Sequence, residues 1–194
     1  TVLLTCAYFA ENYIFYLFFT WFFHYLVTEL GFSILETGFL ASLPWLSGAV
    51  MASLGGYTCD ALCARVGPRL GCRIPAIIGL LGAGIFLYVG LYATSPYTAV
   101  LLLSLCFAST QFAEGSYWSA QTYIAGPYTA PACGVMNTGG NLAGLVVAPS
   151  MPYLAAHIGC VAALSTGTIV AFVGAILWLF IRADQPFRPA QVAS

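Results

Sequence analysis

Charge is scarce in this chain, and lysine is missing altogether. Five arginines and six acidic residues make up 6% of 194 positions, whereas a soluble domain carries roughly 25% charged residues. A globule in water keeps charged side chains on its surface, so this poverty excludes a soluble enzyme or binding domain. A net charge of −1 supplies no basic footprint for phosphates, which excludes nucleic acid as a partner. Polar low-complexity tracts are also lacking, and 15% aromatic residues argue against a disordered or fibrous chain. The period-two alternation of a membrane barrel is missing too. What is present is 61% hydrophobic residues, and the class that remains is an all-α integral membrane protein in a lipid bilayer.

Two stretches are free of charge, 74–113 (40 residues) and 115–181 (67 residues), while one bilayer crossing needs about 20 apolar residues. Each must be cut internally, and turn-forming residues mark the cuts at Thr94-Ser95-Pro96, Gly126-Pro127 with Pro131, and His157-Ile158-Gly159. Earlier breaks fall at Gly31-Phe32-Ser33 and across 60–73. The expectation is one bundle of six transmembrane helices over 2–28, 36–59, 74–93, 97–124, 132–156 and 161–181, with a cytoplasmic tail at 182–194. Arg65, Arg69 and Arg73 follow the second helix, and Arg182 and Arg188 follow the sixth. Even-numbered exits share a side, so the positive-inside rule puts both chain ends and the 60–73 loop in the cytoplasm, with Glu29 and Glu36 outside.

No Arg-bearing leader with a cleavage site precedes the first helix, so no signal peptide is expected, and a chain starting at Thr1 is open to being a fragment. Cys6, Cys106, Cys133 and Cys160 are spread through helices and read as small apolar residues. Cys59, Cys63 and Cys72 cluster near the cytoplasmic loop, but their spacing lacks a second close pair or an adjacent His, so no metal site and no cofactor is expected. His24 and His157, near outer helix ends, read as interfacial or structural. No Ser or Asp pair has a His at a workable spacing, so the chain is not expected to be an enzyme.

Glu11 and Glu114 lie well inside predicted helices, where an ionised carboxylate costs several kcal/mol unless it is paired, protonated or facing water. On the fourth helix Gln111, Glu114, Trp118 and Gln121 fall within about 80° of one another, with Thr110 and Tyr117 at the margin. Such a stripe suits a polar ligand or a water-filled cavity, or it bonds helix to helix. On the first helix Thr5, Tyr8, Asn12, Tyr16 and Thr20 drift around about 120°, with Glu11 at the edge. The fifth helix presents Asn137 and Asn141 one turn apart among Gly134, Gly140 and Gly144, and Pro149 and Pro152 beyond them suggest a flexible helix.

Gly56, Asp60, then Arg65, Gly67-Pro68-Arg69 and Arg73 resemble the short cytoplasmic loop that marks the major facilitator superfamily. Thr20-Trp21-Phe22-Phe23-His24-Tyr25-Leu26 looks like the seventh-helix stretch of its anion:cation symporter branch, with Phe23 where the family usually has Pro. Gly31-Phe32-Ser33, Gly38 and Leu43-Pro44 continue that likeness. Tyr117-Trp118-Ser119, Gly134-Val135-Met136-Asn137 and Gly140-Asn141-Leu142-Ala143-Gly144 to Pro149 are similar to its tenth and eleventh helices. The loop departs from the pattern, because Ala61 follows Asp60 directly and the basic residue comes at Arg65.

The resemblance implies the carboxy-terminal six-helix half of a twelve-helix carrier, a symporter in a bacterial inner membrane that moves a small organic anion such as a sugar acid by alternating access. With the stripe geometry it nominates Trp118, Asn137, Gln111 and Asn12 as substrate contacts, with Tyr16 and Asn141 behind them. Glu114, and after it Glu11, are candidates for a coupling proton, the coupling ion being a proton or sodium. The family usually keeps its proton-coupling carboxylates and its substrate-binding Arg in the amino-terminal half. Asp60, Arg65 and Arg69 are implied as a cytoplasmic gate, a role that suits an acid at an unfavourable helix end seeking a basic partner. The expected partners are a small-molecule substrate and the amino-terminal half or a second copy. The alternative is a six-helix membrane scaffold or assembly subunit without transport, or a truncated remnant.

Overall fold

In hydrocarbon there is no water for the backbone, so each crossing segment must satisfy its own N–H and C=O groups as a helix. The computed structural model describes residues 1–185 and consists of seven α-helices and one 3₁₀ turn. They are α1 (Val2–Thr28), α2 (Ile34–Leu40), α3 (Leu43–Val66), α4 (Pro68–Leu91), α5 (Pro96–Ala125), α6 (Thr129–Ile158) and α7 (Cys160–Trp178), with the 3₁₀ turn Gly126–Tyr128 between α5 and α6. Arg188 and most of the expected tail over 182–194 lie outside the described residues.

The junctions are built from the residues that permit them. Ser33 and Glu36 form a reciprocal cap at the start of α2, Ser33 Oγ accepting from the Glu36 N–H and Glu36 Oε2 from the Ser33 N–H. Prolines stand at the first turns of α3, α4 and α5, where no intrahelical N–H is needed.

Two expected boundaries are corrected. The helix expected over 36–59 is interrupted after α2, at Ala41 and Ser42, and resumes as α3. The expected 60–73 loop is helical on both sides of Gly67, which alone joins α3 to α4 with φ +83°. Arg65 in the last turn of α3 complements the negative end of the helix dipole, and Pro68 starts α4 at once, so one left-handed glycine replaces a loop. α6 runs unbroken through Pro149 and Pro152.

Contacts along the helices give their directions. Gln121, Tyr117 and Glu114 of α5 meet Thr1, Ala7 and Tyr8 in turn, so α5 runs against α1. Gly139, Gly140 and Gly144 of α6 lie against Thr5, Tyr8 and Tyr16, so α6 runs with α1 and against α5. Five continuous helical runs are long and apolar enough to cross a membrane, and the 63-residue run Pro96–Ile158 is the antiparallel pair α5 and α6. The described residues thus form six membrane-length helices. Its apolar core forms two clusters, one around Phe18, Phe107 and Leu87, the other around Leu4, Tyr117 and Trp178.

α3 reaches α5 closely because Gly55 has no side chain: a Cβ there would collide with the backbone carbonyl of Phe112. Gly55→Ala is expected to lower thermal stability in detergent, overpacking costing about 1–3 kcal/mol. Gly134→Ala, where a Cβ meets nothing within 4 Å, is expected to leave stability unchanged or raise it, since alanine in a helix is favoured by roughly 0.5–1 kcal/mol. Equal melting temperatures for the two variants would contradict the close approach.

Candidate functional site

Three helices bring their polar residues to one place. Tyr8, Glu11, Asn12 and Phe15 of α1, Gln111 and Glu114 of α5, and Asn137 and Asn141 of α6 line a cavity of about 220 Å³. The four-residue steps of α1 keep Tyr8 and Asn12 on the side facing α6, and the missing side chains of Gly140 and Gly144 let the rings of Tyr8 and Tyr16 come close against that helix.

Glu114 organises the wall between α1 and α5. Its Oε1 accepts the Tyr8 hydroxyl at 2.9 Å and the Trp118 indole N–H at 2.7 Å. The rings of Tyr8 and Trp118 meet edge to face at 5.9 Å, and their polar edges converge on the same carboxyl oxygen. Asn12 Nδ2 donates to the Tyr8 carbonyl at 3.0 Å and to Glu11 Oε2 at 3.2 Å, which holds Glu11 although that residue is only 2% exposed. On the α6 side, Tyr16 donates to Asn141 Oδ1 at 2.7 Å, and Asn141 Nδ2 donates to Asn137 at its carbonyl (2.7 Å) and its Oδ1 (3.1 Å). Two carboxyl groups face this space, and none of its lining residues is cationic.

Of the residues nominated from sequence, Asn12, Gln111, Asn137 and Asn141 line the cavity together with Glu11 and Glu114. Trp118 stands at its edge through Glu114, and Tyr16 through Asn141. The α5 stripe divides. Gln121 is buried beside Thr1, Tyr117 is buried with its hydroxyl on the Ala7 carbonyl and its ring on Trp178, and Thr110 bonds back to Phe107. Gln121 and Tyr117 tie α5 to the start of α1, Thr110 bonds within α5, and all three lie outside the cavity lining. Tyr8 and Phe15 were not nominated as site residues. The signal for Tyr8 was its place four residues before Asn12 in the same arc, but no single helix shows that its hydroxyl meets a carboxyl 106 residues away.

Asp60 and Arg65 on α3 and Arg69 on α4 are exposed, and among the described residues they form no ion pair. Arg73 instead donates through Nη2 to the Ile181 carbonyl at 2.7 Å, tying the start of α4 to the chain that leaves α7. His24 stacks edge to face on Trp21, and a ring nitrogen of His157 lies 2.7 Å from the Tyr153 carbonyl, both on exposed surface away from the cavity.

The chain has relatives among known transporters. Its residues 1–194 match the family model described as Major Facilitator Superfamily. It is 31% identical over 182 residues to the "Probable sulfoacetate transporter SauU" of Cupriavidus necator, covering 92% of this chain and 42% of that protein. It is 31% identical over 169 residues to the "D-galactonate transporter" of Escherichia coli, covering 86% of this chain and 39% of that protein. These relatives are transporters, not enzymes, and the chain spans less than half their length. Among solved structures, the POT family transporter PepTSo superposes with a TM-score of 0.70 at 15% identity, over 99% of this chain and 39% of that one, which is a likeness of fold. The chain belongs to the Major Facilitator Superfamily and is an all-helical integral membrane protein.

Proposed function

We propose that the chain is the carboxy-terminal six-helix half of a secondary transporter that moves a small organic anion by alternating access, coupled to a proton or another cation. One observation carries this reading: α1, α5 and α6 bring polar side chains together around one cavity well inside their lengths, where a solute or water can bond them. Sulfoacetate, D-galactonate, galactarate and D-glucarate, the compounds in the names of relatives at 31–32% identity, are small anions rich in acceptors or hydroxyls. Amide groups of Gln111, Asn137 and Asn12 can donate to an anionic head or bridge hydroxyls, with Trp118, Tyr16 and Asn141 shaping the wall. The anion's charge is then met in the amino-terminal half, since this cavity has no cationic lining residue. Glu114, with Glu11 behind it, carries the coupling proton. Asp60, Arg65 and Arg69 serve as a gate that pairs when the cytoplasmic face closes, and the arginine-bearing ends of the bundle lie in the cytoplasm of a bacterial cell.

A non-transporting scaffold is favoured by one feature, the bonding of Tyr16, Asn141 and Asn137 to one another across α1 and α6. Water access separates the two readings. A cysteine placed at Asn137 (Asn137→Cys), in a background stripped of Cys6, Cys133 and Cys160, is expected to react with a membrane-impermeant maleimide, and the scaffold forbids this reaction.

Uptake of sugar acids and sulfoacetate into vesicles holding the protein with its amino-terminal half is expected to respond to an imposed proton gradient. Asn137→Ala and Gln111→Ala should each weaken half-saturation roughly tenfold or more, as loss of a hydrogen bond to a charged ligand costs about 1.5–3 kcal/mol. Uptake unaltered in both would remove them from the site. Glu114→Gln keeps an acceptor for Tyr8 and Trp118 and so should fold as the parent does, yet accumulate no substrate against a gradient; accumulation at the parental level would end the proton role. Asp60→Asn is expected to shift the balance of inward-open and outward-open forms, read by thiol accessibility, and an unmoved balance would count against the gate.

A further inference from the structure

Away from the cavity, the hairpin of α3 and α4 gathers three sulfurs. Cys59 and Cys63 lie one turn apart on α3 and so share a face, and Cys72 reaches them from the second turn of α4. Sequence spacing argued against a metal site because the third cysteine is nine residues from the second and no His adjoins it. The fold removes that objection. Gly67 reverses the chain in one residue, and Gly71, whose Cβ would run into the backbone and sulfur of Cys63, lets α4 close onto α3. The Cys59 and Cys63 sulfurs are 4.0 Å apart, those of Cys63 and Cys72 3.6 Å, and all three lie within 4.8 Å of one another.

Metal–thiolate bonds of about 2.3 Å in a tetrahedral set place sulfurs about 3.8 Å apart, a spacing these two distances bracket. Cys59 and Cys72 are fully buried and Cys63 is 9% exposed, so an ion entering past Cys63 would leave water for a sulfur-lined pocket. Ser116 of α5, fully buried, sets its hydroxyl beside the Cys59 thiol, within reach to bond it or to serve as a further donor. Arg65, Arg69 and Arg73 occupy the same end of α3 and α4, and their charge offsets that of thiolates. The donor set holds three sulfurs and neither imidazole nor carboxylate, which selects soft cations over magnesium or calcium.

We propose that Cys59, Cys63 and Cys72 form a three-thiolate site for a soft d¹⁰ metal cation, Zn(II) or Cu(I), which clamps the α3–α4 hairpin. Binding forms three metal–sulfur bonds, releases the thiol protons to solvent and changes no oxidation state. The site shares no residue with the cavity, so it stands or fails independently of the transport reading.

The test is a titration of the reduced, detergent-solubilised protein with Cd(II), whose thiolate bonds absorb in the ultraviolet. Saturation at one ion per chain is expected, with protection of Cys63, the one of the three that reaches the surface, but not of Cys6, from alkylation. Displacement by Zn(II) or by Cu(I) supports the site and tells which ion it prefers, while Mg(II) should displace nothing. Cys72→Ser should weaken Cd(II) binding by more than the ~10–100-fold that loss of an outer-shell partner costs, and Cys106→Ser should leave it unaltered. Absence of saturation at one equivalent, Cd(II) that leaves Cys63 open to alkylation, or a Cys63–Cys72 disulfide in protein isolated with its thiols trapped would each overturn the proposal. The alkylation readout uses the unsubstituted protein, so a poorly folding serine variant does not weaken the test.

Discussion

The backbone's need for hydrogen-bond partners in a solvent that offers none governs this molecule. It requires each crossing to be a helix and presses chain reversals into very few residues. Where a loop across 60–73 is expected, helix continues on both sides of one junction residue, Gly67, which takes a conformation that side chains resist. Prolines at the starts of α3, α4 and α5 serve the same economy by removing donors that would otherwise lack a partner.

Within that frame, polar side chains are tolerable only where they bond one another or face a cavity. The structure uses both solutions on a single helix. The lower part of the α5 stripe, Tyr117 and Gln121, turns into contacts with α1, whereas Gln111 and Glu114 face open space. Glu114 belongs to both, being held by Tyr8 and Trp118 while it lines the cavity. This carboxyl is thus fixed in position by two donors and borders a space large enough for a small solute.

How much was legible depended on whether the information was local. The polar faces of α1, α5 and α6 follow from 3.6-residue periodicity, so Asn12, Gln111, Glu114, Asn137 and Asn141 could be nominated from the chain alone. The split of the stripe could not, because Gln121 and Glu114 occupy equivalent faces of an ideal helix and differ only in what α1 sets against them. Tyr8 was visible as a member of an arc but not as the partner of Glu114. The three cysteines show the same limit from the other side, since spacing of four and nine residues does not show that their sulfurs meet until a one-residue reversal brings the two helix ends together.

By itself the sequence determined that the chain is a membrane protein, since eleven charges among 194 residues leave no soluble alternative, and it determined which helix faces are polar. Tertiary structure alone decided which of those faces meet, and which polar groups are consumed in holding helices together. The physical reason is that lipid-facing and protein-facing apolar residues are chemically alike, so hydrophobicity marks where a helix lies but not what it packs against. That choice falls to close approach at small residues and to hydrogen bonds between distant side chains, which exist only once the bundle has formed.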